Sequence, residues 1–210
     1  MKTDNSKTRI LIADDHKMVR AGLAALLETE PDLQVVGQAD NGKDAVAKAL
    51  ELAPDVVIMD LMMPVMDGVA ATAELHRLRP EVKILILTTY GSSDGIAHAL
   101  ENGASGAIMK SADSNDLASA VRNVAHGERS VSEEIQRQIA SDPPVPELTP
   151  RQQDILASLV QGLSNPDIAK KFGIRRDSVK EHVNNILDKI GAANRTEAVA
   201  IALRKHLLKI

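Results

Sequence analysis

The 210-residue chain contains no cysteine. Disulfides, thiol nucleophiles and cysteine-based metal sites are therefore excluded, and nothing in the composition calls for an oxidising compartment. Tryptophan is absent as well, and Tyr90 and Phe172 are the only aromatic residues. Two rings are too few to build a stacking platform for single-stranded nucleic acid, and the core must be aliphatic and rich in methionine. No uninterrupted apolar run is long enough to span a bilayer, and the first residues, MKTDNSKT, are polar. The expectation is a soluble, cytoplasmic protein with no membrane partner.

The apolar content, 44%, can supply a core, and the length suits one large domain or two small ones. The formal net charge of −4 conceals a division along the chain. Residues 1–127 carry 12 Lys+Arg against 18 Asp+Glu, residues 128–147 carry 2 against 5, and residues 148–210 carry 11 against 6. An acidic body with a basic tail points to a polyanion as partner of the tail.

Apolar runs of strand length occur at 10–13, 56–59, 84–87 and 107–109, with a further strand candidate at 33–39, and each is followed by a segment of helical spacing or composition. Those segments are 18–27, 45–52, 68–78, 96–100 and 117–125. Five strands alternating with five helices predict an α/β doubly wound, five-stranded parallel sheet. Asp14 and Asp15 follow the first strand, Asp60 ends the third, Thr88 the fourth and Lys110 the fifth. Every polar group of interest therefore lies on the carboxyl edge, where open α/β sheets bind their ligands. Taken alone, Asp60 reads equally well as a turn or cap residue. Three crowded carboxylates, however, repel one another unless a cation sits between them, and an all-oxygen set suits Mg2+. A metal, a lysine and a hydroxyl around one free carboxylate are what phosphoryl transfer to that carboxylate requires.

Beyond this body, residues 130–140 predict a short helix capped by Ser132, and SDPPVPE at 141–147 reads as a semi-rigid tether. The expected division is a first domain at 7–127, a linker at 128–147 and a small all-α domain at 148–210. In the last, Thr149 caps and Pro150 opens one helix, Ser164 caps a short second one, 176–190 predict a third, and Asn194 precedes a fourth at 195–208. The third helix is expected to start at Asp177 or Ser178 as cap. A short helix, a tight turn and a longer helix with a polar outer face form the layout of a helix-turn-helix.

With these residues in place, the constellation Asp14, Asp15, Asp60, Thr88 and Lys110 resembles the receiver domain of two-component response regulators across residues 8–127. The flavodoxin-like fold is part of that resemblance. It implies that Asp60 is a phosphoacceptor, Asp15 a direct Mg2+ ligand, Asp14 a ligand through water and the carbonyl of Met62 a further ligand. Thr88 would be the switch hydroxyl and Lys110 the phosphate-pairing lysine. The family commonly places Phe or Tyr three residues before the lysine, where this chain has Ala107, with Tyr90 as a possible substitute. The tail, LTPRQQDIL, GLSNPDIAKKFGI and SVKEHVNNILDKIGAANRTEAV, resembles the LuxR-type output domain of the NarL/FixJ class. That resemblance implies Lys180, Glu181 and Asn184 toward bases in the major groove, and Ser178, Lys189 and Arg151 at phosphates.

The reading that results is not an enzyme but a DNA-binding response regulator. A sensor histidine kinase would phosphorylate Asp60 with Mg2+ present, and phosphorylation would control homodimerisation and binding to double-stranded DNA. Two alternatives stand beside it. One is a phosphorylation-independent regulator whose receiver acts as an interaction module; the other is an aspartyl-phosphate phosphatase, which would want Asp-x-Asp where this chain has Asp14, Asp15 and His16.

Overall fold

The structure is a computed structural model and describes residues 7–89, 93–146, 148–205 and 207–208. The chain divides into two compact units, residues 1–143 and 144–210.

The first unit is built on a parallel sheet of β1 (Thr8–Ala13), β2 (Leu33–Ala39), β3 (Val56–Asp60), β4 (Lys83–Thr88), β5 (Gly106–Met109) and β6 (Ser130–Val131), in the order β2-β1-β3-β4-β5-β6. Helices α1 (Lys17–Leu27), α2 (Gly42–Leu52), α3 (Gly68–Leu78), α4 (Ser93–Glu101) and α5 (Ser114–Ala125) make the crossovers. The inner strands are apolar on both sides over most of their length because both faces are covered, while edge strand β2 exposes Gln34 and Gln38. Leu11, Val57, Met59, Ile84, Ile86 and Ala107 enter one core, and their neighbours Ile10, Val56, Ile58, Leu85, Leu87 and Ile108 enter the other. That alternation is the period of two expected of a strand.

The sheet has six strands where the sequence predicts five. The sixth comes from the stretch expected to be a linker: Ser130 pairs with Gly106 and Val131 with Ala107. Close approach is possible because Gly106 has no side chain; a Cβ there would lie 2.2 Å from the Ser130 carbonyl oxygen. Helix α6 (Glu133–Ser141) follows, its N-terminus capped by Ser132, whose hydroxyl accepts from the Ile135 amide. Ile135 is fully buried in the core of the first unit, with Val131 and Ile139 packed against it. Burial of one such side chain contributes roughly 1.5–3 kcal/mol, enough to hold a short helix that would be marginal alone. At the far end, the Ser93 hydroxyl of α4 lies 3.1 Å from the Asp142 carboxylate.

The second unit holds α7 (Pro150–Val160), α8 (Asn165–Phe172), α9 (Arg176–Ile190) and α10 (Arg195–Arg204). Thr149 with Gln152 and Ser164 with Asp167 form capping boxes, and Asn194 caps α10. Helix α9 has the expected span but not the expected cap. Arg175 is its N-cap residue and makes no side-chain cap bond, so neither Asp177 nor Ser178 starts it. The helix is fixed instead by its apolar stripe, Val179, Val183, Ile186 and Ile190, which is buried against Ile155, Leu159, Ile168 and Ala198. Helix α10 ends at Arg204, short of the expected 208. Val145 and Leu148 are buried in this same core, so part of the supposed tether belongs to the second unit.

Candidate functional site

The strand order reverses direction on either side of β1, since β2 lies on one side and β3 on the other. The crevice that opens there is the binding position of such sheets. Strand β1 delivers Asp14 and Asp15 to it, β3 delivers Asp60, β4 delivers Thr88, and the residue after β5 is Lys110. The register places Asp60 beside Leu87 and Thr88 beside Met109, and the Lys110 amide donates to the Thr88 carbonyl at 2.6 Å. Parallel pairing thus brings together side chains separated by up to 96 positions in the sequence.

The pocket's charges are arranged around one ammonium. Lys110 Nζ lies 2.6 Å from Asp14 Oδ2 and donates to Asp60 Oδ2 at 2.8 Å. Asp14 is 1% exposed and Asp60 5% exposed, so both carboxylates are nearly removed from solvent and depend on that partner. Burial pushes the Asp60 carboxyl above its ordinary range, against the lowering effect of Lys110, and the neighbouring Asp14 adds to the rise. Burial also works against the charge of Lys110, but its contacts with Asp14 and Asp60 outweigh that and hold the ammonium above its usual value.

Asp15 is more open, its side chain 32% exposed, with the His16 Nδ1 2.6 Å from its Oδ1. The His16 amide donates to Asp14 Oδ1 at 2.8 Å, and the Arg20 guanidinium donates to the Asp14 carbonyl. Ligand atoms of Asp14, Asp15, His16 and Asp60 all lie within 4.8 Å of one another. Thr88 is buried, its hydroxyl 3.2 Å from the Thr89 carbonyl oxygen. Met62 lies in the loop after β3 with its side chain exposed. That loop is drawn in tightly: the Gly68 amide donates to the Leu61 carbonyl at 2.8 Å, and a Cβ on Gly68 would lie 2.1 Å from the Asp60 carbonyl oxygen. Ala107 is fully buried, and Tyr90 lies outside the described residues.

In the second unit, Lys180, Glu181 and Asn184 are exposed on one face of α9, opposite its buried stripe. Ser178 and Lys189 are half-buried, and Lys189 Nζ reaches Gln152 Oε1 at 3.5 Å. Arg151 is half-buried on α7, its guanidinium 4.4 Å from the centre of the Phe172 ring. Sequence reasoning missed this stacking, and it missed His16 as a member of the acidic cluster. The only signal for His16 was its place directly after Asp15.

Residues 10–122 match the family described as response regulator receiver domain, and residues 146–202 match bacterial regulatory proteins, luxR family. Among curated proteins, the response regulator protein VraR of Staphylococcus aureus is 38% identical over 206 residues, covering 96% of this chain and 99% of that protein. The transcriptional regulatory protein LiaR of Bacillus subtilis is 36% identical over 208 residues, covering 95% and 99%. Among solved structures, the response regulator ChrA of a heme-sensing two-component system is 35% identical, with a TM-score of 0.59 over 97% of this chain and 100% of that one. Both the residues at the crevice and these matches lead to one conclusion: the chain belongs to the NarL/FixJ class of response regulators, a receiver domain joined to a LuxR-type DNA-binding domain.

Proposed function

We propose that Asp60 accepts a phosphoryl group from a sensor histidine kinase, and that its phosphorylation controls dimerisation and sequence-specific binding of double-stranded DNA. The observation that carries this is the single ammonium of Lys110 bridging two buried carboxylates at the crevice. In the transfer, an Asp60 oxygen forms the new P–O bond while the P–N bond to the kinase histidine breaks, and the leaving imidazole nitrogen takes a proton. Lys110 is placed to exchange its contact with Asp60 for one with a phosphoryl oxygen. Thr88, at the adjacent strand end, supplies a hydroxyl to another. Burial excludes water that would compete for these contacts.

The donor set fits Mg2+. Asp14, Asp15 and Asp60 offer oxygen ligands close together, with Asp15 open enough to leave part of the ion hydrated. Asp15 and Asp60 would hold it directly, the Met62 carbonyl would add an oxygen, and Asp14 would act through water. When bound, the ion neutralises charge on the phosphoryl oxygens.

In the output domain, α9 is the helix to enter the major groove, with Lys180, Glu181 and Asn184 toward base edges and Ser178, Lys189 and Arg151 toward phosphates. Glu181 accepts from a cytosine amino group and repels phosphate, which narrows the sequences tolerated. Such work, on a kinase and on genomic DNA, belongs in the cytoplasm, and the described residues include no helix long and apolar enough to cross a membrane. The chain then acts as a regulator rather than as an enzyme.

One observation favours a second reading, a receiver that signals by protein contact without phosphorylation. Ala107 leaves no ring to follow Thr88 inward, and β6 is paired beside it. Sedimentation and DNA binding, with beryllofluoride and Mg2+ added to the full chain and to Asp60→Asn, separate the two. The proposal expects a change in oligomeric size and DNA affinity in the wild type only. No change in either property, with the variant equally active, overturns it.

A further inference from the structure

We propose that His16 is a fourth protein ligand of the receiver pocket, and that it turns the site toward later first-row divalent ions, such as Ni2+ or Co2+, relative to Mg2+. The proposal rests on the reading of this pocket as a cation site and adds to it a nitrogen donor.

The geometry points to His16 for three reasons. Its imidazole is not used locally: it occupies the N-cap position of α1 yet makes no side-chain cap bond. The ring is turned to the carboxylates instead, with Nδ1 2.6 Å from Asp15 Oδ1 and 3.4 Å from Asp14 Oδ1. Its backbone is fixed by the hydrogen bond that its amide donates to Asp14 Oδ1, so the ring is rooted within the cluster. One ring nitrogen of His16 and one carboxylate oxygen each of Asp14, Asp15 and Asp60 fall within 4.8 Å of one another, the spacing of ligands around one ion.

The pocket also has acceptor capacity to spare. Asp14 Oδ2 is buried and accepts no well-aligned hydrogen bond, although the Lys110 ammonium lies 2.6 Å from it. A dication between these groups would relieve that mismatch. It would also draw His16 Nδ1 and Asp15 Oδ1, 2.6 Å apart, onto one centre. The His16 side chain is 69% exposed, which leaves the ring free to swing the short distance required.

The chemical consequence is selectivity. Three carboxylates alone make a hard oxygen site suited to Mg2+, which takes octahedral oxygen ligands and gives up water reluctantly. An imidazole nitrogen adds little for Mg2+ but favours ions further along the first transition row, whose affinity for mixed N/O sites rises toward Cu2+. The same pocket would then hold Ni2+ or Co2+ more tightly than its carboxylates explain.

Titration calorimetry of the full chain with Mg2+ and with Ni2+ tests this, using wild type, His16→Ala and Asp15→Asn. His16→Ala is expected to weaken Ni2+ binding by at least the roughly tenfold that loss of an outer-shell partner costs, while Mg2+ affinity changes by less than about twofold. With Co2+ in place of Ni2+, the visible absorption bands should shift on the same substitution. Because other histidines can bind Ni2+, the site in question is the one that Asp15→Asn also weakens. A His16→Ala variant that lowers Mg2+ and Ni2+ affinity by the same factor makes His16 a group that merely positions Asp15 and overturns the proposal. So does a variant that changes neither. If instead Asp15→Asn leaves Mg2+ binding intact, it is the reading of the pocket as a cation site that fails.

Discussion

Replacing Lys110 with methionine keeps the length of the side chain and removes its charge. Asp14 and Asp60 would then face each other at 1% and 5% exposure with no cation between them. Breaking a buried ion pair by removing one partner costs about 3–5 kcal/mol. For a unit of this size, that is a fall in melting temperature of roughly 6–20 °C. The loss depends on pH in a defined direction. Asp60 is already raised by burial, so its contribution to stability is present at low pH and is lost as pH rises through its folded value. Without Lys110 that value rises further. The deficit of Lys110→Met relative to wild type is therefore smallest in acid, where Asp60 is protonated in both proteins, and grows toward neutral pH. Mg2+ should repair the variant more than the wild type, where it competes with the ammonium; at a hundred times its dissociation constant a ligand stabilises by about 2.7 kcal/mol. Calorimetric melting of the two proteins, with EDTA or Mg2+ across a pH series, reads all three effects. A variant that melts with the wild type in EDTA at neutral pH would refute the reasoning, because the two carboxylates would not then depend on the lysine.

Gly68→Ala should lower both stability and Mg2+ affinity, since its Cβ meets the Asp60 carbonyl oxygen at 2.1 Å and only a backbone shift of the β3–α3 loop can relieve it; urea unfolding and calorimetry check this. Arg122 on α5 bridges Glu30 at 2.5 Å and Asp32 at 2.7 Å near the start of β2, a partly exposed network of two ion pairs. Arg122→Ala should cost no more than about 1 kcal/mol in urea unfolding. The hydrogen bond from Arg122 holds the Asp32 carboxyl below its ordinary value, so this contribution should vanish as pH falls through the depressed value. In DNA binding, Lys189→Ala should weaken all sequences alike and lower the salt slope by about 1, whereas Lys180→Ala should cost about 1–3 kcal/mol and relax the choice of base. Fluorescence anisotropy on cognate and scrambled duplexes across salt concentrations separates the two.

Much of the fold could be read from the sequence because its central strands are buried on both sides. Runs such as ILIA at 10–13 and ILIL at 84–87 have no polar interruption, and each ends at a polar residue that the carboxyl-edge rule collects into one place. Helix starts marked by Thr149–Pro150, Ser164 and Asn194 were legible for a local reason: a side chain caps its own helix. What failed depended on distant partners. Two residues, Ser130 and Val131, have no period to detect, and they form a strand only because Gly106 lets them approach. Arg175 is a poor cap, yet α9 starts there because Val179 and Val183 are anchored by other helices. The sequence likewise places Asp14 and Asp15 at one strand end without saying which is buried. The backbone turns Asp14 inward to Lys110 and leaves Asp15 to His16.

The short sixth strand bears on what counts as a self-sufficient signalling half. A polypeptide ended at Gly127 would keep Asp14, Asp15, Asp60, Thr88 and Lys110, every side chain of the proposed phosphoryl pocket. It would nevertheless be an unfinished solid. The socket that Ile135 fills would be open to water, and the Ser105 and Ala107 carbonyls that now accept from Ser130 and Ser132 would form a bare rim. Rims of that kind recruit other chains. Clumping of such a fragment would then report an amputated edge rather than any activated state, because the compact unit runs on to Pro143.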